Sequence, residues 1–462
     1  MDYFRRTRVK EIISGQKADQ KVIILGWART KRLSKNVGFI EINDGSSLHN
    51  AQLVFSPPGD FPELERIITG TSLRVVGKVV KVEGREQAYE VHAEELEIVG
   101  ECSQDYPLQK KRHTFEFLRE IAHLRPRTNT FGVINRFRSK LSHCIHEYYQ
   151  QRGFYYIHTP IITTSDCEGA GDLFQVTTLP LKELAEKKTE LDMDKDFFAE
   201  KAYLTVSGQL EGELMCTALG DIYTFGPTFR AEKSYTSRHL SEFWMMEPEM
   251  AFCDLDEMII LIEDFLKHLI SYSIEQCEEE MAFFNQWIDK GRQKVLQSIV
   301  ESDFAKITYT EAVDILKKSK RNFEFPVGWG LDLQSEHERF LSEEYFKKPV
   351  FVTDYPRDIK AFYMRVNEDE KTVRAVDVLV PLVGEIVGGS QREERYDYLR
   401  KNMVQQGMDI EEYQWFLDIR KYGTVPHSGF GLGFERMLMY LSGMTNIRDV
   451  MPFPRFPRSA KF

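Results

Sequence analysis

FGPTFRAEKSYTSRHLSEFWMMEPEM, residues 225–250, decides how the rest of the chain is read. Its ends alternate apolar and polar residues around a polar middle, which reads as two strands joined by a loop. Such a hairpin gathers Arg230, Glu232, Arg238, His239, Glu242 and Phe243 at one end. An arginine can fork onto an α-phosphate and a carboxylate can accept from an adenine amino group, while a basic side chain meets the terminal phosphate and a phenylalanine covers the base. Together these make an ATP site; singly, each is as well explained by a charged surface hairpin. No GxxxxGK[ST] and no GxGxxG ahead of a helix occurs, so a nucleotide bound here is bound without a glycine-rich phosphate loop.

Upstream of the hairpin, Ile134, Phe137, Leu141, Ile145 and Tyr148 recur at three- and four-residue steps. That spacing predicts an amphipathic helix from about 131 to 152, with Thr130 as N-cap and Gly153 as the stop, followed by an extended FYYIHTPII. Downstream, residues 254–320 read as mostly helical, and VFVTDYP and AVDVLVPLVGEIVGG as strands. VPHSGFGLGFERMLMYLSG (425–443) reads as a glycine-rich strand running into a helix, whose glycines let a flat base approach the backbone and whose Arg436 can reach a phosphate. Strands and helices that do not alternate point to an α+β domain with a mostly antiparallel sheet flanked by helices. Ahead of it, residues 21–99 hold five short apolar runs separated by turn residues, the pattern of a small OB-fold β-barrel. The predicted organisation is a barrel over 1–104, a polar, basic hinge over 105–125 and the larger domain over 126–462. The charged stretch 181–201 reads as a solvated excursion.

A length of 462 residues suits two or three cores, and 42% hydrophobic with 29% charged residues suits a water-soluble globular chain. No run of 18 apolar residues appears and the first residues lack the apolar core of a secretory signal, which predicts a cytoplasmic protein with no membrane partner. The six cysteines, at 102, 144, 167, 216, 253 and 277, form no CxxC pair and predict neither a zinc site nor a disulfide framework. A net charge of −11 counts against a nonspecific nucleic-acid coat, so any nucleic acid must be held by local patches.

GFYYIHTP (153–160), TFRAE (228–232) with RHLSEF (238–243), and GLGFERM (431–437) resemble the three signature motifs of class II aminoacyl-tRNA synthetases. The barrel resembles the anticodon-binding domain of the subgroup specific for aspartate, asparagine and lysine, so the likeness runs over nearly the whole chain. Within the subgroup, VSGQLEGE, SDCEGAGDLF and the ending FPRFPRSAKF are most similar to the asparagine-specific members. The resemblance implies ATP-dependent attachment of asparagine to its tRNA, tRNA(Asn), through an adenylate. It further implies that Arg230 binds the α-phosphate and Glu232 the adenine amino group, that Phe243 stacks on the base, and that Arg238, His239 and Arg436 belong to the ATP site, the last two on the terminal phosphates. Asp377 and Glu385, on two strand-like segments joined by PLVG, supply hard oxygens that suit Mg²⁺ beside a triphosphate. Glu168 is implied to close over the substrate ammonium, Gln209 to touch the substrate backbone and Arg392 to donate to the side-chain oxygen. In the barrel, Phe39 and Gln52 match the positions that read the central anticodon base, with Arg29 nearby. The helix before Pro160 implies a homodimer.

Arg392 serves aspartate and asparagine alike, so selectivity rests elsewhere. Aspartate enzymes of this subgroup place a lysine three residues after the glutamine, where this chain has Gly212. Glu247 is positioned to accept from an amide nitrogen and to repel a carboxylate. An aspartate-specific synthetase, discriminating or relaxed, is the competing reading; an asparagine synthetase on the same catalytic fold has no need of the barrel, and a non-catalytic tRNA-binding paralogue has no need of the retained ATP positions.

Overall fold

A computed structural model describes residues 2–84, 88–165, 173–187 and 192–462. The chain divides into two compact units, Met1–Asn135 and Arg136–Phe462. In the first, β1 (Lys21–Leu33), β2 (Gly38–Asn43), β3 (Ala51–Phe55), β4 (Ser72–Lys81) and β5 (Tyr89–Gly100) close into a barrel in the order β1-β2-β3-β5-β4. The period of two explains the closure. Along β2, Ile40 and Ile42 are fully buried while Phe39 and Glu41 stay on the outer side. Ile24, Leu53, Val75 and Val91 join them inside. Each such aliphatic side chain stabilises the fold by about 1.5–3 kcal/mol through burial. A register shift in β1 between Ala28 and Thr30 leaves Arg29 on a bulge. The stretch 105–125 is folded rather than extended: Thr114 caps a short helix, Phe115–Glu120, and Leu108 and Leu118 pack with Phe131.

The long helix α1 (Asn129–Gln151) begins two residues before the predicted start. Its cap is Thr128, not Thr130: Thr128 has the extended backbone an N-cap needs (φ −81, ψ 156), and its Oγ1 accepts from the Phe131 amide at 3.4 Å. Gly153, at φ +86, stops the helix as predicted.

The second unit is built on an eight-stranded sheet. Its strands are β6 (Tyr155–Tyr156), β7 (Asp221–Phe229), β8 (Glu242–Ala251), β9 (Ala305–Thr308), β10 (Val350–Pro356), β11 (Thr372–Val380), β12 (Gly384–Gln391) and β13 (His427–Gly433), ordered β9-β10-β11-β12-β13-β8-β7-β6. Only the two outermost pairings, β9 with β10 and β6 with β7, are parallel; the inner six strands run antiparallel. Helices α2 (Gln209–Leu219), α3 (Leu255–Gln276) and α4 (Phe434–Ser442) pack on this sheet. Helix α3 shows why: Met258, Ile262, Phe265 and Leu269, spaced at helical steps, are fully buried, and Asp254 and Glu257 form its capping box. Among the described residues, no helix is long and apolar enough to cross a membrane.

Candidate active site

A cavity of about 270 Å³ opens over the middle of the sheet. The hairpin β7–β8 forms as predicted, with Thr228 opposite Phe243 and Thr224 opposite Glu247. Alternation along β8 then turns Phe243, Met245, Glu247 and Glu249 into the cavity, and Glu242, one residue out of phase, is not among its lining. The loop of the hairpin adds Arg230, Glu232, Arg238 and His239; Asp377 comes from β11, Glu385 from β12, Arg392 from just after β12, Arg436 from α4 and Gln209 from the start of α2. Glu168 lies outside the described residues. Apart from Glu242 and Gly212, the other residues singled out for the site in the larger domain line this one cavity.

At one end the charges crowd. The Arg230 guanidinium stands 5.5 Å from the Phe243 ring centre, leaving that ring flat beside a cation. Arg436 donates to the Glu385 carbonyl at 3.0 Å and to its carboxylate at 3.3 Å. Against its burial, the charges of Arg436, Lys360 and Arg230 hold Glu385 below the ordinary carboxylate range. Burial, with Arg339 and Arg436 close by, lowers Arg238, and burial with Arg436 lowers His239, whose Nδ1 meets the hydroxyls of Ser234 and Thr236. Lys360, not anticipated from sequence, contacts both oxygens of Asp377 at 2.9 and 3.2 Å. Asp377 and Glu385 nonetheless converge: a Cβ on Gly388 would lie 3.0 Å from Glu385 Oε1 and 3.5 Å from Asp377 Oδ1, so both oxygens face the space that glycine leaves. Behind them Glu338 accepts from the Glu385 amide at 3.1 Å, and burial plus the Glu385 charge push it up to about 7. Among the described residues no cluster of three or more His, Cys, Asp or Glu makes a metal cage. Two convergent hard oxygens fit instead an ion whose remaining positions are filled by water and phosphate, the habit of Mg²⁺.

At the other end the charges are paired and buried. Arg392, 3% exposed, donates from Nε and Nη2 to the two oxygens of Glu249 at 3.1 and 2.5 Å, and from Nη1 to Ser390 at 3.0 Å. Among the described residues these bonds occupy three of its five N–H groups. The Glu249 charge raises Arg392 above the ordinary arginine range in spite of burial. Glu247 accepts from Ser207 Oγ, and from the Gly208 amide and Thr224 Oγ1, both at 3.1 Å. Among the described residues these bonds occupy three of its roughly four lone pairs. A Cβ on Gly212 would make ordinary contacts of 3.6 Å with Ile222 and 3.7 Å with Glu249.

In the first unit Phe39 and Gln52 sit half-exposed on the outer side of β2 and β3. Gln52 lies opposite Glu41 and donates to Glu90 at 2.9 Å. Arg29 is differently placed: its guanidinium donates to the Arg127 carbonyl and, at 2.6 Å, to Asn129. It is thus tied to the start of α1 within the same unit.

Glu249, Glu213 and Lys360 escaped the sequence reading. Glu249 shares the phase of Glu247, and Glu213 stands one helical turn after Gln209, so period alone marks two of the three.

Comparison with known proteins shows the family and the fold. The family of tRNA synthetases class II (D, K and N) matches residues 115–457, and the OB-fold nucleic acid binding domain matches residues 22–99. A curated asparagine–tRNA ligase of Desulfitobacterium hafniense is 57% identical over 446 residues, 96% of each chain. One from Nostoc is 55% identical over 98% of this chain and 99% of its own. The crystal structure of asparaginyl-tRNA synthetase from Pyrococcus horikoshii complexed with asparaginyl-adenylate matches with a TM-score of 0.87 at 33% identity, covering 98% of this chain and 99% of that one.

Proposed function

Since the chain belongs to the class II tRNA synthetases of the aspartate, lysine and asparagine group, we propose that it joins asparagine to tRNA(Asn) through an asparaginyl-adenylate. One observation carries this reading: a single cavity joins several guanidinium groups and an aromatic ring to a pocket in which Arg392 is already paired with Glu249. The first end suits a folded triphosphate and its base; the second suits a small neutral polar side chain.

An asparagine carboxylate oxygen attacks the α-phosphorus, the bond to the β-phosphate bridging oxygen breaks, and pyrophosphate leaves. Arg230 holds the α-phosphate and meets the charge that develops there. Phe243 stacks on the base with Glu232 at its amino group, and Arg238, His239 and Arg436 hold the outer phosphates. Asp377 and Glu385 would hold a Mg²⁺, which would neutralise phosphate charge. Gln209, Glu247 and Arg392 hold the amino acid, with Glu168 closing over its ammonium, and positioning supplies much of the rate. The terminal ribose hydroxyl of the tRNA then attacks the adenylate carbonyl and AMP leaves. Phe39 and Gln52, assisted by Arg29, read the anticodon on the barrel. Exposed Tyr155, Ile161 and Ile162 beside β6 offer apolar surface to a second copy, which supports a homodimer. We place the protein in the cytoplasm, a reading supported by cysteines that are unpaired among the described residues.

Pyrophosphate exchange with asparagine, aspartate and lysine in parallel tests this. Exchange driven by asparagine is expected; a preference for aspartate overturns the amino-acid assignment, and no exchange with any of them overturns the activity.

A further inference from the structure

Behind the amino-acid end of the cavity, Glu213 on α2 is fully buried and is not part of the lining. Four polar or charged side chains surround it. Its Oε1 accepts from Gln209 Nε2 at 2.9 Å and lies 3.9 Å from Arg392 Nε. Its Oε2 accepts from Arg420 Nη2 at 2.5 Å and meets His427 Nε2 at 3.0 Å. The Arg420 and His427 groups are themselves 4% and 1% exposed, so all of this happens out of water.

Two consequences follow from the chemistry of those contacts. A carboxylate is only an acceptor, so it draws the NH₂ end of the Gln209 amide toward itself and turns the carbonyl oxygen away. Gln209 lines the cavity, and its amide therefore has one allowed orientation there. Second, Glu213 and Glu249, the latter pushed up to about 7 by burial, face the guanidinium groups of Arg392 and Arg420, while the buried Glu247 beside them is met by the neutral donors Ser207, Gly208 and Thr224. A neutral amide entering there adds no charge; a side-chain carboxylate adds a further negative one beside these acids, which a buried site penalises.

We propose that Glu213 is a positioning residue for amino-acid selection: it fixes Gln209 and Arg392 and supplies the buried negative charge that makes the pocket favour asparagine over aspartate. This rests on the asparagine-activating reading above. Opposing burial, Arg420 and His427 keep the Glu213 carboxyl below the ordinary range, so the charge is present at neutral pH.

The test is pyrophosphate exchange by the full-length protein and its Glu213→Gln variant, with asparagine and with aspartate. The variant should raise KM for asparagine by about tenfold and lower the asparagine-to-aspartate ratio of kcat/KM by about as much, with KM for ATP within about twofold of the parent. If Glu213→Gln does not fold, Glu213→Asp is read instead: it keeps the charge but withdraws it from Gln209, so KM for asparagine should rise while the ratio is largely kept. Unchanged KM for asparagine together with an unchanged ratio overturns the proposal, as does a parallel rise in KM for ATP, which marks a merely structural role. If the parent protein itself prefers aspartate, the asparagine reading falls first, and the two failures are told apart.

Discussion

The two ends of the cavity handle charge in opposite ways. At the ATP end Arg238 and His239 are pushed below their ordinary ranges by burial and by neighbouring cations. At the amino-acid end Arg392 is pushed above its range by Glu249. At the first end Arg230, Arg238 and Arg436 converge beside Asp377 and Glu385; at the second Arg392 is already held by Glu249. On the proposed reading, a polyanion and a neutral amide are thereby sorted along one cavity by electrostatics.

The largest effect is expected at the ATP end. Arg230→Ala should reduce kcat for pyrophosphate exchange by about 100- to 1,000-fold, since a group aimed at developing charge is removed; a loss confined to KM would place Arg230 in ground-state binding only. At the other end, Gly212→Lys introduces a cation beside Glu249, where a Cβ is sterically accepted. It should compete for that carboxylate and cut the preference for asparagine by up to about a hundredfold; unchanged asparagine kinetics would refute this view of the wall. Phe39→Ala, in the first unit, should lower kcat/KM for tRNA by about tenfold, in line with the loss of one stacked base, and leave asparagine-dependent exchange untouched.

The smallest expected effect sharpens the contrast. His239 has a lowered pKa, so near and below pH 6.5 the folded protein binds fewer protons than its unfolded chain and loses stability as pH falls through that range. Bound triphosphate reverses the local charge and raises the pKa, so ATP binding there should take up a fraction of a proton. Calorimetry in two buffers of different ionisation enthalpy reads this directly. The uptake should vanish in His239→Gln, and a binding enthalpy independent of buffer would contradict it.

The hairpin, the barrel strands and the glycine-rich strand leading into α4 were legible in sequence because each is set by local period and local turn chemistry. Arg230, Phe243 and Arg436 were legible as motif members, and the sheet brings them together. The buried ion-pair network was not, since Glu213 meets Arg420 and His427 across 207 and 214 residues, a pairing no local pattern encodes. Lys360 was missed for a related reason: nothing near it in the chain marks it as the partner of Asp377. The cap of α1 was misplaced by two because Thr128 and Thr130 are chemically equivalent and only the backbone angle separates them.

The floor of the amino-acid pocket is held in place by something missing. A Cβ on Gly429 of β13 would come within 2.2 Å of the Glu249 carboxylate, closer than any real contact. The bare strand therefore acts as a stop against which Glu249, and through it Arg392, comes to rest. Even a single added methyl group there would displace the Glu249 carboxylate, and with it the Arg392 guanidinium that it pairs with.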